Sequence, residues 1–143
     1  MTFDIEAEIG ARIAAMEAEP HASADPGDVR REILFINDTV HTTSATSLHT
    51  GPGPVGEETT PTAQIEVYGI ASPSSTARRG IIRFRPRDSL RPPYFKEGDG
   101  TIRVWFDLAH LEHVTTQLTH RKRYLWIGIW PDGYTYADLH SRP

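Results

Sequence analysis

Residues 122–139 read Lys122-Arg-Tyr-Leu-Trp-Ile-Gly-Ile-Trp-Pro-Asp-Gly-Tyr-Thr-Tyr-Ala-Asp-Leu139, and this stretch decides the fold. Both sides of its centre are rich in β-branched and aromatic residues, which is typical of strands. Pro131 presets one turn angle, and Gly133 supplies the positive φ that a tight turn needs. The stretch therefore predicts a β-hairpin with strands over 122–130 and 134–139.

Four segments upstream of this hairpin also predict strands. Residues 32–37 form a short apolar run of strand length. Three further segments combine β-branched and aromatic residues between Pro, Gly, Ser or Asp clusters: 64–71, 80–87 and 101–108. We therefore expect an antiparallel sheet of about five or six strands.

Two helices complete the predicted α+β fold. Apolar residues recur at helical spacing between residues 3 and 19, at Ile5, Ile9, Ile13 and Met16. This stripe predicts an N-terminal amphipathic helix that packs on one face of the sheet. A short second helix is predicted near residues 108–118, where Asp107 can cap the first turn.

Length and composition bound the domain organisation. A chain of 143 residues has the size of one domain, so we expect a single α+β domain over residues 1–143. Residues 38–62 are rich in Thr, Ser, Gly and Pro and carry almost no large apolar side chain. This composition predicts a flexible loop, which is either a lid or disordered.

The charges are distributed unevenly along the chain. The formal net charge is −4, with −9 in residues 1–75 and +5 in residues 76–143. Such a split allows a localised basic surface on an acidic protein, although the two halves could also neutralise each other in the fold. Arginine outnumbers lysine 13 to 2, which fits bidentate anion contacts and equally a GC-rich genome. A short accessory protein of a bacterium or its phage fits this composition.

The sequence also restricts the setting of the protein. It contains no Cys, which excludes disulfides, thiol catalysis and thiolate metal sites. No apolar run approaches the roughly 20 residues that a membrane-spanning helix needs, and the acidic N-terminus does not resemble a secretory signal. We therefore expect a soluble cytoplasmic protein with no membrane partner.

Alternation along three of the predicted strands sorts their side chains into two faces. One face is aliphatic and suits the N-terminal helix. The other carries arginines and large rings, and seven of these form the predicted binding surface: Arg83, Arg85, Arg103, Trp105, Tyr124, Trp126 and Trp130. Guanidinium groups bind phosphate or carboxylate bidentately, and exposed rings stack on bases or sugars. The same composition also fits rings that close the edge of a core beneath arginine stems.

The histidines offer an alternative chemistry. His110 and His113 lie three residues apart on the predicted second helix, and His120 follows shortly after, a spacing that can bind zinc. The segment lacks the Glu of an H-E-x-x-H helix, so we expect solvated helix residues and no bound metal or cofactor. A metal-assisted hydrolase that uses these histidines is the second alternative function.

These observations favour a small, non-enzymatic binding or accessory module without catalytic residues. Arg, Tyr and Trp are frequent in protein interfaces, so we expect a protein partner or self-association through the arginine and aromatic face. A single-stranded nucleic acid is the alternative partner for that face, because rings stack on bases while arginines hold phosphates.

Overall fold

The computed structural model describes residues 7–9, 11, 28–44 and 62–142 of the chain. Within these ranges it contains seven strands: β1 (Arg30–Ser44), β2 (Thr62–Ala71), β3 (Arg79–Arg85), β4 (Tyr94–Lys96), β5 (Thr101–Asp107), β6 (Lys122–Ile129) and β7 (Thr135–Arg142). Helix α1 spans Leu111–Gln117, and single 3-10 turns occupy Arg87–Ser89 and Leu108–His110. No helix in the described part of the chain is long and apolar enough to cross a membrane.

The strands form one sheet in the order β4-β5-β3-β2-β1-β6-β7. All neighbours are antiparallel except β3 and β5, which run parallel with Arg83 opposite Trp105. The prediction of an antiparallel sheet of about five or six strands is therefore wrong, because the sheet has seven strands and mixed pairing. Residues 86–100 supply the long crossover that a parallel pair needs, and they form the extra strand β4 on the way.

The sheet is curled because β1 changes partners along its length. Residues 30–35 pair with β6 and residues 34–44 pair with β2, with a register shift between Ile36 and Asp38 that bends the strand. The two ends of the sheet approach each other, since the Thr135 hydroxyl donates a hydrogen bond to the Pro93 carbonyl at 2.8 Å. The sheet therefore has an inner, concave face and an outer, convex face.

The inner face forms the larger hydrophobic core. Its buried side chains come from every strand except the edge strand β4, and they include Ile65, Val67, Ile82, Phe84, Ile102, Val104, Leu125 and Ile127. Helix α1 packs on this core through Val114, and Leu118 follows it. The Gln117 side-chain amide ties the helix to β7 by donating to the Leu139 carbonyl at 3.2 Å.

A second, smaller core lies on the outer face of β6. Ile33 and Val29 pack there with the three rings that alternation assigns to this face: Tyr124, Trp126 and Trp130. Gly128 lies between the indoles, because a Cβ at this position would be 2.9 Å from each of the two Trp rings. The predicted alternation along β6 is therefore confirmed, with Leu125 and Ile127 on one face and Trp126 on the other. Both faces of the strand, however, are buried.

The predicted N-terminal helix over residues 3–19 lies mostly outside the described residues. Residues 7–9 and 11 are helical, and Ile9 is fully buried in the second core. The prediction that this segment covers the aliphatic face is wrong. Curling of the sheet lets the aliphatic side chains of opposite strands bury one another, and Ile9 packs instead against the aromatic rings.

The hairpin predicted at residues 130–134 is confirmed. Strands β6 and β7 pair antiparallel, and Gly133 has a φ of 91°. The Gly133 N–H donates to the Trp130 carbonyl at 3.0 Å, and the Trp130 N–H donates to the Tyr134 carbonyl at 2.9 Å. The Asp132 carboxylate accepts from the Tyr134 N–H at 3.0 Å and fixes the turn.

The segment predicted as a flexible loop at 38–62 divides into two parts. Residues 38–44 are strand, and they continue β1 with pairing to β2 up to Ser44 opposite Thr62. Four β-branched residues favour this extension: Thr39, Val40, Thr42 and Thr43. Residues 45–61, which hold the Gly and Pro cluster, lie outside the described residues.

Candidate functional site

The seven residues of the predicted binding surface separate into two groups. Tyr124, Trp126 and Trp130 are at most 2% exposed and belong to the second core. Strands β2 and β1 lie between β3 and β6, so the arginine-bearing strands are not neighbours of β6. The remaining four residues are partly buried on β3 and β5: Arg83, Arg85, Arg103 and Trp105.

A groove of about 650 Å³ runs over the outer face of β3 and β5. Arg83, Arg103 and Trp105 form its floor, and Arg91 and Tyr94 line one side. The β6–β7 turn lines it at Gly133 and Thr135. We call this site the arginine groove. Arg85 lies one step further along β3, opposite Asp107 on β5, and does not line the groove.

The two floor arginines are held in place without a carboxylate. Arg83 donates from Nε to the Gln64 side-chain oxygen at 3.0 Å, and this bond does not use its two terminal nitrogens. Arg103 Nε is buried and has no hydrogen-bond acceptor in the described part of the chain. Within the same residues, no carboxylate is at ion-pair distance from either guanidinium. Partly buried cations with open donors favour binding of an anion.

Two aromatic rings form a stacked pair beside these arginines. The Tyr94 ring lies 5.8 Å from Trp105, centroid to centroid, with 28° between the ring planes. The Arg103 guanidinium carbon is 5.9 Å from the centre of the Tyr94 ring, a cation–π contact. Trp105 Nε1 is buried and, like Arg103 Nε, has no acceptor among the described residues. Tyr94 is 42% exposed.

Sequence reasoning missed Tyr94 and Arg91 as members of the site. The only local signal is Arg91-Pro-Pro-Tyr94, in which two prolines, which favour extended backbone, separate a cation from an aromatic ring. The three-residue strand β4 is too short to show alternation. Its pairing with β5, Tyr94 opposite Arg103, is a long-range contact that no short window reveals.

Carboxylates neutralise the cations around the groove. Asp99 lies 3.6 Å from Arg79 and 3.7 Å from Lys96. A hydrogen bond from Thr101 lowers the pKa of Asp99, and the charges of Lys96, Arg79 and the groove-floor residue Arg103 lower it further. The carboxylate therefore stays ionised and cancels positive charge at this margin.

On the other side of the groove, the Glu66 carboxylate of β2 is already hydrogen-bonded to residues of its own strand. The Glu66 carboxylate accepts from the Gln64 amide at 3.2 Å and from the Tyr68 hydroxyl. The hydrogen bond to Glu66 raises the pKa of Tyr68. Glu66 is thus engaged on its own strand and does not pair with Arg83.

The histidines considered for metal binding lie elsewhere. His110 and His113 are exposed, in the 3-10 turn and in α1, while the His120 ring nitrogen Nδ1 is 3.0 Å from the Ser141 hydroxyl. Across the ranges that the structure describes, no three His, Asp or Glu side chains are grouped so as to hold a metal ion.

No family model matches the chain, and no curated protein and no solved structure matches it.

Proposed function

We propose that this protein is a non-enzymatic binding module that holds an anionic group of its partner in the arginine groove. The observation that carries the proposal is the arrangement on the groove floor. Arg83 and Arg103 are diagonal neighbours on β3 and β5, and no carboxylate of the described residues is at ion-pair distance from either. Arg103 Nε and Trp105 Nε1 have no acceptor among the same residues.

The energetic argument rests on desolvation. A partly buried guanidinium has lost some of its water, and an unpaired buried donor costs about 1–3 kcal/mol. An anion in the groove supplies acceptors for the terminal guanidinium nitrogens of Arg83 and Arg103, which form no ion pair within the described residues. Charge-assisted hydrogen bonds of this kind are stronger than neutral ones, and the guanidinium fork matches the oxygens of phosphate and carboxylate.

The residues that line the groove support binding more than catalysis. Its described lining consists of arginines, aromatic rings, prolines, Gly133 and Thr135, and it includes no histidine or carboxylate. General acid–base chemistry depends on such groups at the reacting atoms. The carboxylates of Asp99 and Glu66, on either side of the groove, already contact neighbouring side chains.

The experiment is an NMR titration of the ¹⁵N-labelled protein with inorganic phosphate and with pyrophosphate. Both anions are expected to shift the Arg103 Nε–H and Trp105 Nε1–H resonances in a saturable way. Arg83→Gln and Arg103→Gln should each weaken binding about ten-fold, since each removes a charge-assisted hydrogen bond.

Arg121→Gln is the matched control. Arg121 is exposed just before β6, about 25 Å along the strand from the β6–β7 turn. Arg121→Gln removes the same charge from the molecule but should leave the affinities for phosphate and for pyrophosphate unchanged. Equal weakening by Arg121→Gln would mean that net charge drives the effect, and an absence of saturable shifts would refute anion binding in the groove.

A further inference from the structure

Building on the proposed function, we infer that the ligand of the arginine groove is a mononucleotide. Its phosphate contacts Arg83 and Arg103, and its base stacks on the exposed part of the Tyr94 ring.

The stacked rings are the first reason. A phosphate or carboxylate alone uses only the arginines and leaves Tyr94, which is 42% exposed, without a role. Trp105 supports that ring at 5.8 Å and Arg103 contacts it at 5.9 Å, so the ring is held in position before a ligand arrives. A ring fixed in this way loses little side-chain entropy when a planar base stacks on it. A ligand with both a planar group and an anion uses the whole groove.

The spacing of the arginines is the second reason. Arg83 is opposite Trp105 on the parallel neighbour, and Arg103 is two residues before Trp105. The Cα atoms of the two arginines are therefore diagonal neighbours, roughly 8 Å apart. Both side chains can reach one phosphate or two linked phosphates from this distance, while Tyr94, opposite Arg103 on β4, is next to them.

The limited extent of the charge favours a mononucleotide over a polynucleotide. Beyond the groove, Asp99 neutralises Arg79 and Lys96, and the chain as a whole carries a net charge of −4. On that side of the groove a longer strand would find cations that already pair with Asp99, although phosphate contacts dominate the affinity of nucleic acid binders. The groove volume of about 650 Å³ lies in the range of small-molecule sites.

The test compares ligands that carry only part of a nucleotide. Affinities are measured by calorimetry for the four common nucleoside 5′-monophosphates, the matching nucleosides, inorganic phosphate and a single-stranded oligonucleotide of about eight nucleotides. At least one monophosphate should bind about ten-fold more tightly than inorganic phosphate, which is the gain that base stacking provides. The free nucleoside should bind more weakly than its monophosphate.

Tyr94 variants locate the base. Tyr94→Ala should remove the advantage of the monophosphate, measured as the ratio of its affinity to that of inorganic phosphate in the same variant. Tyr94→Phe keeps the ring and should retain the advantage. Leu90→Ala, which truncates another exposed apolar side chain of the same segment, is the control and should behave like the wild type.

The outcomes separate the two levels of the proposal. If inorganic phosphate binds but no monophosphate binds more tightly, the mononucleotide inference fails and the anion-binding function stands. If no anion binds, both fail. An oligonucleotide that binds more than about ten-fold more tightly than every monophosphate would replace the mononucleotide by a single strand.

Discussion

Glu32 is a carboxylate that β1 buries to 2% exposure at one end of the inner core. Its oxygens accept hydrogen bonds from the Thr76 backbone N–H at 2.9 Å and from the Thr76 hydroxyl at 2.7 Å. Glu32→Ala should lower the free energy of unfolding by about 1.5–3 kcal/mol, the range for hydrogen bonds to a charged group. Urea denaturation measures this change.

Glu112→Ala is the control for this residue, because Glu112 is an exposed carboxylate on α1. Its effect should stay within about 0.5 kcal/mol. A double-mutant cycle with Thr76→Ala should give a coupling of about 0.5 kcal/mol or more. Equal effects of Glu32→Ala and Glu112→Ala would contradict the structural role of the buried carboxylate.

At the residue scale the sequence was also most informative about the site. Alternation correctly placed Ile82 and Phe84 on the face opposite Arg83, because the side-chain period of a strand is a local property. It could not tell which outward residues are covered. Trp126 and Trp105 both lie on the side of their strand that faces away from the inner core. Trp126 is nevertheless 0% exposed, while Trp105 lines the groove.

At the scale of elements, the described N-terminal residues Glu8 and Ile9 contact the sheet. Ile9 is fully buried in the second core, and Glu8 Oε1 is 2.9 Å from His140 Nε2 and 3.0 Å from Arg142 Nη2 on β7. Ile9→Ala should lower the free energy of unfolding by about 2–4 kcal/mol, because it leaves a cavity against the rings.

Ile70→Ala is the matched control for Ile9→Ala. It removes the same atoms from a side chain that is 67% exposed on β2, so it should cost less than about 1 kcal/mol. Thermal unfolding of the two variants gives the comparison. A smaller loss for Ile9→Ala than for Ile70→Ala would show that the N-terminal residues do not seal the aromatic core.

The order of the strands in the sheet could not be predicted from the sequence. Each predicted strand segment contains a strand, since composition and turn residues act over short windows. The order β3-β2-β1-β6 depends on the bend in β1 at Ile36 to Asp38 and on pairing between residues far apart in the chain. The sequence-based surface assumed that the arginine strands and β6 were adjacent, and the two intervening strands remove that adjacency.

At the scale of the whole molecule, the curled sheet separates the three tryptophans into two environments. Trp126 and Trp130 are in the second core beneath Ile9, and Trp105 is in the arginine groove. Iodide is an anion that quenches tryptophan fluorescence, and the groove cations should concentrate it near Trp105. Acrylamide is uncharged and reports accessibility alone.

Fluorescence quenching by iodide in the wild type and in Trp105→Phe therefore tests the anion-attracting groove most directly. The wild type should show a component of its fluorescence that iodide quenches and that Trp105→Phe lacks. The double variant Arg83→Gln/Arg103→Gln should show weaker quenching by iodide and unchanged quenching by acrylamide. Iodide quenching of Trp105→Phe as strong as that of the wild type, or equal iodide quenching with and without the two arginines, would contradict the account.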